Sequence, residues 1–229
     1  MKKVSLVLMA FTLLVFWSCS KDRKEMISFP HYMVTDYFKA KTPIRLFTDG
    51  KEITDQAIIN TFIEDSTYTG FGKYTKHSSY FENDKIKITK DTLITFTHQD
   101  SVVIGTFDAR TNPKRSVIKK GNEFVIISPS HTIQSQTSPI NEILKHKFII
   151  DNVTYMPIHG SLYLIREVYS AYGDYNQMEM PRINYLYKRK GGWGNALSRL
   201  NEFDEAYIAK VAKGDTLAVQ EYRIGLKAK

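Results

Sequence analysis

One cysteine in 229 residues rules out a disulfide framework and a cysteine-rich metal site. Seven prolines and 12 glycines are too few for a collagen-like or low-complexity chain, and a hydrophobic content of 42% is too high for wholesale disorder. The most apolar stretch, residues 4–17, is shorter than the roughly 20 residues that a membrane-spanning helix needs. Acidic residues are in deficit: 24 Asp and Glu face 32 Lys and Arg, for a net charge of +8. What remains is a chain long enough for one sizeable core, rich in Tyr and Phe, and basic.

The first residues carry an address. Lys2 and Lys3 precede the uncharged stretch 4–17, and Ser18, Cys19 and the polar run 20–25 follow it. A positive start, a short apolar core and a small-residue exit make a secretory signal. Phe16-Trp17-Ser18-Cys19 resembles the lipobox of bacterial lipoprotein precursors, in which a small residue stands before the cysteine; Phe16 occupies the place where Leu is usual. The resemblance implies cleavage before Cys19, a diacylated sulfur and an acylated amino group, hence a palmitate-type membrane anchor. Two or three acyl chains hold firmly, since each buried methylene contributes about 0.8 kcal/mol. Ser20, where an Asp would favour inner-membrane retention, implies the outer membrane, on its periplasmic or cell-surface face. Loss of residues 1–18 takes Lys2 and Lys3 away and leaves a mature charge of +6.

Behind the signal, residues 19–42 read as the lipidated cysteine and a polar tether grading into structure, with contact to the domain expected from Phe29-Pro30-His31-Tyr32, and 43–229 as one β-rich domain. A strand is expected at 44–47, a tight turn at Asp49-Gly50, and a helix capped by Thr54 with Ala57, Ile58, Phe62 and Ile63 on one stripe. From residue 67 to 128 the period becomes two. Runs at 85–89, 93–97, 101–107 and 123–128 are joined by short turn signals, the pattern of an antiparallel meander, with a longer loop around Asn112-Pro113. Residues 128–138 read as loop, 138–145 as a short helix, and 148–150, 161–169 and 182–188 as strands, with 173–180 an exposed connection. Asn201 offers an N-cap for a second helix ending near Gly214, and 216–224 closes the chain as a strand whose shifting parity suggests a bulge. The expected fold is mainly β with two or three short helices, at the margin of α+β, its meander closing as a barrel like the lipocalins in topology or folding as a sandwich. The meander is apolar on both faces, so the helices carrying Phe62 and Phe203 are expected to cover its outer face.

Chemical motifs are sparse. Histidines 31, 77, 98, 131, 146 and 159 show no metal-ligand spacing, and no G-x-S-x-G or Walker sequence occurs. No cofactor is expected. Lys190-Gly191-Gly192-Trp193-Gly194 is a flexible turn that presents Trp193, the only Trp left after signal removal, and Tyr185 and Tyr187 lie on the strand before it. These three are the candidate ligand-binding residues, since aromatic faces beside polar groups suit sugars and peptides. Arg182, Lys188, Arg189 and Lys190 imitate a nucleic-acid strand, but nucleic acid is not the usual partner of an exported protein; they read as a solvated strand end, with contact to anionic lipid or polysaccharide as the alternative. The expectation is a non-catalytic binding or envelope-interaction module, with polysaccharide, peptide or a small apolar ligand as partner. A lipocalin-like carrier is the alternative and a hydrolase the third.

Overall fold

Strict up-and-down pairing organises the structure, a computed structural model that describes residues 27–64, 93–105, 113–134, 140–156, 160–192 and 194–229. In chain order the elements are β1 (His31–Ala40), β2 (Arg45–Thr48), β3 (Lys51–Ile53), α1 (Gln56–Glu64), β4 (Leu93–His98), β5 (Ser101–Ile104), β6 (Arg115–Lys120) and β7 (Glu123–Ile127). There follow β8 (His131–Gln134), α2 (Ile140–Ile143), β9 (Ile149–Met156), β10 (Gly160–Arg166), β11 (Val168–Gly173), β12 (Gln177–Lys188), β13 (Gly194–Arg199), a 3-10 helix (Glu205–Lys210) and β14 (Thr216–Ala228). Strands β1, β4, β5, β6, β7, β11, β12 and β14 follow one another around a closed eight-stranded antiparallel barrel like that of the lipocalins. It closes where β14 pairs with both β1 and β12. Full closure removes the exposed edges of an open sheet.

Three excursions interrupt the barrel. One, between β7 and β11, is a separate sheet in the order β8-β10-β9. The others use the length of β12 and β14, which have 12 and 13 residues and run beyond the barrel. Their extensions pair with β13 on one side and with the β2–β3 hairpin on the other, making a five-stranded wing. Asp49 and Gly50 turn the hairpin with φ of 51° and 72°, the left-handed pair that the Asp-Gly sequence favours.

The two faces of the wing explain the composition of its strands. Ile183, Tyr185, Tyr187, Leu217, Val219 and Phe47 bury one face against Ile143 and Leu144 and against Phe203, Tyr207 and Val211 around the 3-10 helix. Leu186, Ala218 and Leu46 bury the other under Ile59 and Ile63 of α1. Taking a Leu- or Phe-sized side chain out of water contributes about 1.5–3 kcal/mol, so both covers are substantial. Within the barrel, Met178, Met180, Ile224 and Leu226 continue the strands inward.

Several local expectations are corrected. β1 begins at His31, where contact with the domain was expected but ahead of residue 43, because Met33 is fully buried in the barrel. Asp55, not Thr54, caps α1: its carboxylate accepts from Ala57 N at 2.8 Å and Ile58 N at 3.3 Å. The buried stripe of α1 is Ile59 and Ile63, while Ile58 is 51% exposed. β6 begins at Arg115, inside the expected loop; only Val117 is buried there, and Lys119 and Lys120 hid the alternation. β8 lies within the expected 128–138 loop and owes its order to β10. The expected 173–180 connection is short, because β12 already begins at Gln177. Asp204, not Asn201, caps the second helix, a 3-10 turn that stops at Lys210. Asn201 instead holds the His146 backbone from both sides. β14 pairs with β12 without a bulge, and its parity shift arises because both faces are covered. Finally, the helices cover the wing and not the meander, where Ile118 remains 47% exposed. The run expected at 85–89 lies outside the described residues.

Candidate binding surfaces

Among the described residues, buried side chains occupy the barrel interior. Met33, Phe96, Val102 and Phe124 are completely buried, with Ile94, Ile126 and Ala171 beside them. Tyr175, in the turn between β11 and β12, closes the end nearest the start of the described chain. Its ring stands edge-on to Phe96 at 5.2 Å, Phe124 at 5.1 Å and Phe29 at 5.9 Å. Lys119 projects over this plug, 4.9 Å from the Phe124 ring and 4.8 Å from that of Tyr175. His31 fixes the turn through a 2.6 Å hydrogen bond with the Tyr175 carbonyl.

A polar layer marks where the barrel gives way to the wing. Arg182 and Asn184 on β12 face Tyr222 and Gln220 on β14, all 6% exposed or less. Arg182 Nε donates to Ser198 Oγ at 2.7 Å, Tyr222 donates to Gln220 Oε1 at 2.5 Å, and Phe38 stacks on Tyr222 at 4.8 Å. Burial pushes the Tyr222 hydroxyl pKa up.

On the outside, Glu202 gathers four donors from three separate parts of the chain. Lys145 Nζ lies at 3.0 Å, His146 Nε2 at 3.4 Å, the Tyr172 hydroxyl at 2.8 Å and Arg223 Nη2 at 3.0 Å. The His146 contact first, then the Lys145 and Tyr172 bonds, hold the carboxyl well below the usual range against the opposing effect of burial. Burial, then the bond to Glu202, raises the Tyr172 hydroxyl to about 12. Glu202 and Glu221 share a cleft of about 360 Å³ with Lys41, Lys145 and Asp204. A carboxyl so firmly ionised is the opposite of a general acid, which needs a raised pKa.

The residues singled out in sequence are separated. Tyr185 is completely buried and Tyr187 is 6% exposed, both within the wing; this corrects their assignment as ligand-facing rings. Burial raises both hydroxyl pKa values, and Tyr187 donates to Asp215 at 2.5 Å. Their alternation looked like one covered face, whereas β12 is covered on both. Arg182, read as part of a solvated strand end, is 1% exposed; its place between Met180 and Ile183, ahead of Tyr185, Leu186 and Tyr187, was the available signal. Cys19 and Trp193 lie outside the described residues, as do His77 and His159. Among the described residues no three His, Cys, Asp or Glu are grouped to hold a metal.

Two outer features remain. Strand β9, an edge of the three-stranded sheet, exposes Ile150, Val153 and Tyr155 at 56%, 50% and 73%. At the end of the wing, Thr48, Asp49, Lys51, Ile53, Val211 and Lys213 line an open cleft of about 420 Å³. Compared with known families, characterised proteins and solved structures, the chain matches none.

Proposed function

We propose that the protein is a non-catalytic binding or envelope-interaction module, held to the outer membrane by lipid on Cys19. The observation that carries the binding reading is the barrel interior, which among the described residues is occupied by buried side chains. With Phe96, Phe124 and Tyr175 occupying the interior and its mouth, surfaces for partners lie on the outside of the fold. A carrier of a small apolar ligand requires an empty apolar interior, typically some hundreds of Å³. The hydrolase reading draws no support from the Glu202 cleft, whose carboxylate is committed to four donors. The anchor rests on the position of Cys19, eight residues before Ile27, where the described chain begins. Fully extended, those residues span at most about 29 Å, which keeps the barrel close to the bilayer.

Titration of a soluble version beginning at Met26 with an environment-sensitive apolar fluorophore tests the binding reading. A module of this kind gives no saturable one-to-one signal. A saturable signal displaced by fatty acid overturns it in favour of the carrier.

A further inference from the structure

The far end of the wing brings three loops together. Asp49, in the β2–β3 turn, accepts from Gly214 N at 2.7 Å, and Asp215 accepts from Lys190 N at 3.0 Å. The Lys190 stem crosses Gly214 so closely that a Cβ there would stand 2.7 Å from Lys190 Cδ. Lys51, Lys190 and Lys213 therefore share one tip, and Lys188 and Arg189 adjoin it, all five exposed. Among the described residues none of these five forms an ion pair, whereas Lys210 nearby is held by Glu142 at 2.9 Å. Three carboxylates lie close by: Glu52 is paired with Arg45 at 2.8 Å, and Asp49 and Asp215 are held by the amides just named, so the five cations outnumber the two carboxylates that have no cationic partner among the described residues.

Unpaired cations at one end of a molecule set up a field that concentrates anions there. The cleft between Lys51 and Lys213 adds shape to that field. Ile53 and Val211 give it an apolar wall, with Thr48 and Asp49 beside the lysines. Apolar ring faces alternating with regularly spaced carboxylates are the chemistry of an acidic polysaccharide.

We propose that this three-loop tip is a binding site for a carboxylated polysaccharide, with Lys51 and Lys213 flanking the sugar and Lys190, Lys188 and Arg189 meeting the neighbouring acid groups. The location favours a polymer of the envelope over the anchoring bilayer. β12 runs from beside Tyr175, where the described chain begins, to the tip, and its 12 residues span about 40 Å. With the tether at one end, the tip faces away from the membrane. That orientation rests on the anchored-module reading; the cleft and its charge do not.

The test uses the full chain in phosphatidylcholine nanodiscs, presented with immobilised alginate as the polyuronate. Dextran, polyglutamate and phosphatidylglycerol nanodiscs serve as comparison surfaces. Alginate should be bound in preference to all three. Lys51→Gln/Lys213→Gln should weaken it by about tenfold or more, whereas Lys120→Gln/Lys229→Gln, which removes equal charge at the tether end, should weaken it less than about threefold. Matching thermal midpoints exclude unfolding as the cause. Equal loss in both double variants, equal binding to polyglutamate, stronger binding to phosphatidylglycerol, or no retention on alginate overturns the proposal. If the soluble version from Met26 binds alginate while the full chain proves to carry no lipid, the anchor fails and the tip stands.

Discussion

The Tyr37 ring occupies the space that a side chain at residue 225 would need: a Cβ on Gly225 would stand 2.2 Å from Tyr37 Cε1. Gly225 is paired with Tyr37 on β1 and with Glu179 on β12, so the tyrosine crosses the glycine to hydrogen-bond Glu179. That bond first, and burial second, raise the Tyr37 hydroxyl to about 12. Lys39 lies 4.6 Å over the ring and 3.8 Å from the same carboxylate. The absent side chain thus lets one tyrosine tie three strands at the closure of the barrel.

Replacing Gly225 by Ala should destabilise the protein by about 1–3 kcal/mol, because the ring must leave and Glu179 loses its donor. In a Tyr37→Ala background the same change should cost almost nothing, since the space is then open. Urea unfolding of the four proteins checks this, and additive effects would contradict it.

Acid should loosen the Glu202 cluster. Its folded pKa is depressed, so its stabilisation is complete above the unfolded carboxylate value of about 4.3 and is lost as pH falls toward the folded value. Stability of the wild type should fall more steeply below about pH 4 than that of Glu202→Gln. At pH 7 the variant should be less stable by about 2–4 kcal/mol, because Arg223, with a side chain only 13% exposed, loses its partner. Parallel pH profiles would show that the four donors are not acting together.

Phe124→Ala should convert the filled barrel into one with a cavity, at a cost of about 3–5 kcal/mol. The same fluorophore, for which no site is expected in the wild type, should then bind saturably. Binding to both proteins alike would mean that the wild-type interior is accessible.

Much of the barrel was legible in sequence because β4, β5 and β7 are short β-branched and aromatic runs set between turn signals. The wing was not. Strands covered on both faces lose their period, so Tyr185 and Tyr187 looked like surface rings and β14 looked bulged. β6 was obscured by its opposite character, with Lys119 and Lys120 beyond a single buried Val117. The Glu202 cluster joins residues from 145 to 223, and no local pattern announces contacts of that separation. The tip cations at 188–190 were visible as a run, but Lys51 and Lys213 join them only through the register of β2, β12 and β14.

Everything proposed about orientation depends on where the tether starts, and an intact mass of the protein extracted from membranes tests that most directly. The expected species begins at Cys19, lacks residues 1–18 and carries two or three acyl chains. A chain that begins elsewhere, or a Cys19 with a free thiol, would contradict the anchored module.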